Sequence, residues 1–93
     1  QGWQDPLPLN HAASSSFWAA YEHLPASVQR LADKNFVLLK KNSAHPSLHF
    51  KQVGRFFSVR VGLAHRALGV ESPGGIIWMW IGTHADYDRL IRS

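Results

Sequence analysis

Hydrophobic and polar positions along the chain follow two different periods, and the switch between them falls near residue 45. Before it, Phe17, Trp18, Tyr21 and Leu24 recur at helical spacing, and Ser14-Ser15-Ser16 stand ahead of them as capping side chains. This pattern predicts a short amphipathic helix ending near Leu24-Pro25. A second helix follows at once, with Val28, Leu31, Ala32, Phe36 and Leu39 on one face. Gln29, Arg30, Asp33, Lys34, Lys40 and Lys41 fall mostly on its solvated side. Two helices joined across a proline make a helical hairpin.

Asn42-Ser43-Ala44-His45-Pro46-Ser47 is loop chemistry, and beyond it the period becomes two. The alternation predicts strands over 48–53, 56–61 and 63–70, with Gly54 in a tight turn. In 56–61, Phe57, Val59 and Val61 point one way, and Phe56, Ser58 and Arg60 the other. Ser72-Pro73-Gly74-Gly75 makes a hairpin turn. The run 76–81 is the most apolar strand, expected in the middle of the sheet with Trp78 and Trp80 on one face, and broken by Gly82. Thr83-His84-Ala85-Asp86 has the form of a capping box with Asp in place of Glu, and launches a terminal helix through Ile91. Over 1–13, Pro6 and Pro8 among Leu7 and Leu9 exclude a central strand and leave an extended arm or an edge strand. Residues 14–93 then form a single α+β domain, an N-terminal helical hairpin packed on one face of an antiparallel sheet, with a short C-terminal helix.

Composition narrows the chemistry. Of 93 residues, 45% are hydrophobic and none is cysteine, so a packed core is affordable while disulfides, thiolate metal sites and a Cys nucleophile are excluded. The absence of cysteine also fits a reducing compartment. The longest apolar run has six residues, far short of a membrane span. The first residues have neither a basic nor an apolar segment of a secretory signal, and a soluble cytoplasmic protein is expected. His45 and His49 have the i, i+4 spacing of a helical metal pair, but Pro46 between them removes its meaning, and no metal or cofactor is expected.

Net charge is +4, but its placement says more. Arg30, Lys34, Lys40, Lys41, Lys51, Arg55, Arg60 and Arg66 stand against the single acid Asp33, a window of +7, while the rest of the chain is −3. Such a window suits a polyanion, most commonly nucleic acid. Lys34, Lys40 and Lys41 also read as an ordinary solvated helix face. Arg60 and Arg66 do not, since a strand-borne cation among apolar neighbours needs a partner or a concave face to project into. Arg60 has Glu22 or Asp86 as conceivable structural partners.

The run Phe56-Phe57-Ser58-Val59-Arg60-Val61-Gly62, then His65-Arg66-Ala67-Leu68, then Trp80-Ile81-Gly82-Thr83-His84-Ala85-Asp86-Tyr87-Asp88 resembles the RelE/ParE superfamily of type II toxins. Leu24-Pro25, Val28-Gln29, Ala32 and Leu48-His49-Phe50-Lys51 resemble one branch of it, and the likeness runs from about residue 17 to 91. The family opens with a strand directly before the first helix, where this chain has Pro6 and Pro8. The resemblance implies a helical hairpin on a twisted antiparallel sheet. It also implies a cognate antitoxin as partner and, for many relatives, ribosome-dependent cleavage of mRNA without a metal. Another branch inhibits DNA gyrase, and a third outcome is a nucleic-acid-binding domain with neither activity.

Carried over by position, Arg60 and Arg66 would hold the scissile phosphate, for which a planar guanidinium fork is well shaped. His84 would carry the proton and Tyr87 would stack on a base or assist proton transfer. Lys51, Arg55 and Lys41 would contact RNA phosphates. Bland readings compete: His84 as a hydrogen-bonded surface residue, Tyr87 with Leu90 as a cover for the sheet end, His65 as packing. Trp78 and Trp80 could stack bases, though for at least one of them the core is the stronger reading.

Overall fold

The structure is a computed structural model that describes residues 10–92, so Pro6, Pro8 and residues 1–9 of the arm or edge strand expected over 1–13 lie outside the described residues. The elements are β1 (Asn10–Ala13), α1 (Ser15–Tyr21), α2 (Ala26–Lys41), β2 (Lys51–Val53), β3 (Phe56–Val61), β4 (His65–Ser72), β5 (Gly75–Thr83) and α3 (His84–Arg92). They build a five-stranded sheet in the order β1-β5-β4-β3-β2. The strands β2 to β5 form an antiparallel meander, and β1 is an edge strand that joins β5 in parallel, with Asn10 opposite Gly75 and Ala13 opposite Trp78.

Each helix start has a local cause. Ser14 caps α1 through its Oγ, which accepts from the Phe17 amide at 3.3 Å. Pro25 precedes α2, where a residue without an N–H costs nothing. Thr83 Oγ1 accepts from the Asp86 amide at 3.2 Å, the cap expected for the last helix. The predicted strand over 48–53 begins later. His45 Nδ1 accepts from the Ser47 amide and Pro46 opens a 3-10 turn over Pro46–Leu48, after which His49 adopts the left-handed conformation, φ 45°. A strand cannot start until that reversal is complete, at Lys51. The strand expected from Leu63 likewise starts at His65, because 62–64 form the turn between β3 and β4. Gly82 does not end β5, which runs on to Thr83.

Helices α1 and α2 cover one face of the sheet. Ala32 and Leu39 meet Val59, Val61, Ala67, Ile76, Trp78 and Ile81 there, and Leu48 is sealed beneath the 3-10 turn. Gly62 closes this layer at one end. Its φ of +67° needs glycine, and a Cβ there would stand 2.6 Å from Leu31 Cδ2. The opposite face carries the short C-terminal helix α3, whose Tyr87 ring lies over Arg66. The shared face expected for Trp78 and Trp80 fails. The register slips by one between β4 and β5, Leu68 lying opposite Trp80 but Gly69 opposite Trp78, and this bulge turns the two indoles to opposite faces. Trp78 is buried in the helix-side core, and Trp80 lies with Leu68 on the α3 side.

Within β1, His11 stacks on Trp78, rings 17° apart with centroids at 6.1 Å, and accepts a hydrogen bond at Nδ1 from Trp78 Nε1 at 3.1 Å. Burial lowers the His11 pKa below its ordinary 6.5, and the charge of Lys40 lowers it further. The unfolded chain therefore takes up this proton first as pH falls. Stability held above pH 6.5 is lost between that pH and the lower folded value, and is level again beneath it. Denaturant midpoints of wild type and His11→Asn, measured from pH 8 to pH 4, are expected to converge as pH falls through that window. Parallel curves would show that His11 stays solvated and titrates normally.

Candidate functional site

On the α3 side of the sheet the residues of interest start from one cross-strand row. Arg60 on β3 lies opposite Arg66 on β4, which lies opposite Gly82 on β5. Gly82 leaves a gap into which the Trp80 ring folds, since a Cβ there would meet Trp80 Cζ2 at 2.4 Å. The Arg66 guanidinium lies under α3. Its Nη1 donates to Ser58 Oγ at 3.3 Å, and its Cζ sits 5.2 Å from the centre of the Tyr87 ring, in cation–π range. The edge of the Tyr87 ring meets His84, centroids 5.7 Å apart. His84 Nδ1 is 3.2 Å from Asp88 Oδ2, one turn along α3, and its amide donates to Ala64 O at 2.8 Å, pinning the helix to the β3–β4 turn.

Arg66 and His84 thus each meet Tyr87, one at its face and one at its edge. Arg60 does not join them. Its guanidinium turns along the edge of β3, where Nε donates to Gly62 O at 2.9 Å and Nη1 to His49 Nε2 at 3.1 Å, rather than to Glu22 or Asp86. Because arginine only donates, His49 Nε2 is the acceptor and its ring proton sits on Nδ1. Lys51 lies opposite Ser58 in the β2–β3 register, so it shares the Arg66 face one strand further out, exposed. Arg55 lies over the Phe56 ring at 5.3 Å in the β2–β3 turn. Lys41 ends α2, on the helix layer across the sheet from Arg66, where a cation complements the helix dipole. Among the described residues, no group of three metal-ligating side chains converges.

Three participants went unassigned in the sequence. Ser58 is fully buried, and its signal was a lone hydroxyl between Phe57 and Val59. Asp88 stands four residues after His84, the spacing of one helical turn. His49 had no spacing argument at all, because its position depends on the left-handed turn before β2.

Burial is the unusual property of this group. Arg66 is 9% exposed and Tyr87 2%, and both Arg66 Nε and Tyr87 Oη are buried without a hydrogen-bond partner among the described residues. A buried polar atom left unpaired costs about 1–3 kcal/mol. Tyr87→Phe removes one such atom and keeps the ring, so its thermal midpoint should equal or exceed that of wild type. Tyr87→Ala, which empties the space beneath α3, should lose about 3–5 kcal/mol in denaturant titration. A clear loss of stability in Tyr87→Phe would mean that the hydroxyl is bonded after all.

No protein-family model matches the chain, and no curated protein does. Solved structures do. A chain of the RelB–RelE antitoxin–toxin complex from Methanococcus jannaschii superposes with a TM-score of 0.67 at 17% identity, over 84% of this chain and 96% of that one. The YoeB dimer from Staphylococcus aureus gives 0.63 at 14% identity, over 84% and 99%. The archaeal RelE–RelB complex from Pyrococcus horikoshii gives 0.60 at 14% identity, over 83% and 96%. At such identities the likeness is one of architecture, and it takes in more than four fifths of the chain. The chain has the fold of the RelE and YoeB toxins.

Proposed function

We propose that this protein is the toxin of a type II toxin–antitoxin pair and that it cleaves RNA. The observation that carries the reading is the convergence of Arg66, Tyr87 and His84 on one sheet face, with Arg66 Nε and Tyr87 Oη unpaired. Two buried, unsatisfied donors on side chains in cation–π contact are what an oxyanion would satisfy. In the reaction, the substrate 2′-hydroxyl attacks the adjacent phosphorus, the 5′-oxygen leaves, and a 2′,3′-cyclic phosphate remains. His84, with Nδ1 held by Asp88, takes the 2′-hydroxyl proton at Nε2. Arg66 holds the phosphoryl oxygens as they gain charge, and Tyr87 Oη gives the leaving oxygen its proton. Lys51, on the same face, holds a neighbouring phosphate, and Arg55 and Lys41 add to the attraction of the strand.

Arg66 lies beneath the Tyr87 ring, so the strand reaches the guanidinium when that side chain turns aside while α3 stays seated. The backbone bond from the His84 amide to Ala64 O keeps His84 in place as it does so. Two relatives of this fold were crystallised with RelB antitoxins, which supports an antitoxin as the partner here. Messenger RNA on the ribosome is the substrate the reading favours. That reading fits a cytoplasmic protein, and no described helix is long and apolar enough to cross a membrane.

Induced expression in a bacterium should arrest growth and truncate transcripts. Arg66→Gln and His84→Ala should each lower cleavage about 100-fold or more and relieve the arrest. Arrest with intact transcripts and a DNA-damage response would replace this reading with gyrase inhibition, and full cleavage by His84→Ala would remove the imidazole from the reaction.

A further inference from the structure

A second cationic place lies apart from Arg66. Between α2 and the end of β3 runs a cleft of about 620 Å³, lined among others by Lys34, Asn35, His45 and Arg60. Its donors arrive from three sides. Lys34 comes from α2 and forms no ion pair with any described acid. Arg60 comes from the edge of β3, where Nε and Nη1 are bonded and Nη2 meets no described acceptor. His45 comes from the 3-10 turn, and because its Nδ1 accepts from the Ser47 amide at 3.2 Å, its proton sits on Nε2 and faces away from that bond. No carboxylate lines the cleft. The one acid of the basic window, Asp33, accepts from Tyr21 Oη at 2.8 Å and lines the separate apolar groove between α1 and α2.

We propose that this cleft holds a backbone phosphate of single-stranded RNA, away from the bond that the Arg66 group acts on. The choice of RNA rests on the ribonuclease reading; the cleft as an oxyanion site does not. Three donors from separate elements suit a phosphate with several oxygens better than a flat carboxylate, and an arginine edge with a lysine beside it supplies fork and point charge together. Leu63, 87% exposed at the tip of the β3–β4 turn, gives the cleft an apolar lip against which a nucleoside can lie. Gly62 makes the wall, bringing that turn against Leu31 more closely than any side chain would allow. His49 is the positioning residue: it holds Nη1 from the β2 side and so keeps the guanidinium at the mouth instead of over the sheet.

The test uses a fluorescent decanucleotide methylated at every 2′-oxygen, which binds but cannot be cut, followed by anisotropy over a range of salt. Lys34→Gln and Arg60→Gln should each weaken binding about 3–10-fold and lower the salt slope by about one. Lys34 is exposed, so its variant keeps the test valid even where Arg60→Gln folds poorly. Lys40→Gln, with its ammonium over the Phe36 ring on the same helix, should bind as wild type does. Unchanged affinity in Lys34→Gln, or displacement of the strand by decaglutamate as readily as by unlabelled RNA, would overturn the proposal. If the growth-arrest experiment fails while Lys34→Gln still weakens binding, the ribonuclease reading falls and the phosphate cleft stands.

Discussion

At Met79, β5 gains one residue on β4, and the two halves of the molecule are organised around that slip. Upstream of it Trp78 and Ile76 face α1 and α2, and downstream of it Trp80 and Gly82 share the other face with Arg66 and Leu68. A strand in plain register would send both indoles to one side, leaving the other with no large ring to pack beside α3. The bulge therefore gives the sheet two covered faces with different chemistry. One is a closed apolar core beneath the hairpin. The other is a mixed surface in which a buried arginine, a phenol and an imidazole meet under a single nine-residue helix.

That second face is built against the ordinary preference for satisfied polar groups. Ser58 Oγ accepts a hydrogen bond from Arg66 and the Tyr87 ring lies against its charge, yet Nε and the Tyr87 hydroxyl have no partner among the described residues. A core evolved only for stability would place Leu or Phe at these positions at a gain. The two unmet hydrogen bonds make the covering of Arg66 by Tyr87 less favourable than the burial of the ring alone would make it. Helix α3 is otherwise lightly held: Leu90 is 44% exposed and the His84–Asp88 pair sits at the surface.

Much of the fold was legible because its signals are local. The helical spacing of Val28, Leu31, Ala32, Phe36 and Leu39 placed α2, the alternation in Phe56–Val61 placed β3, and Thr83 placed the start of α3. What stayed hidden depends on contacts between distant segments. No sequence rule places a bulge at Met79, since 76–81 reads equally well with either face inward. The parallel pairing of β1 with β5 joins residues more than sixty positions apart. For the site, Arg66, Tyr87 and His84 were grouped only through the family resemblance, and no residue pattern pointed to the turn of Arg60 toward His49. It requires a histidine at φ 45°, a conformation seldom adopted outside glycine and asparagine.

The direction of Arg60 also changes what the basic window means. Eight cations between residues 30 and 66 look like one polyanion surface when counted along the chain. In three dimensions they divide. Lys51 shares the sheet face with the buried Arg66, Lys34 and Arg60 face the cleft beside α2, and Lys40 and Lys41 crowd the last turn of that helix. A strand that touched only the Arg66 face would meet few of these charges, and most of the net charge would act on it merely as a screened, distant field. β2 pairs with β3 only as far as Ser58, and beyond it the edge of β3 is lined by the 3-10 turn and by His49, which bonds Arg60. The shortness of β2 thus separates the two cationic groups: it ends the sheet beside Arg66 and leaves room for the turn that draws Arg60 toward the cleft.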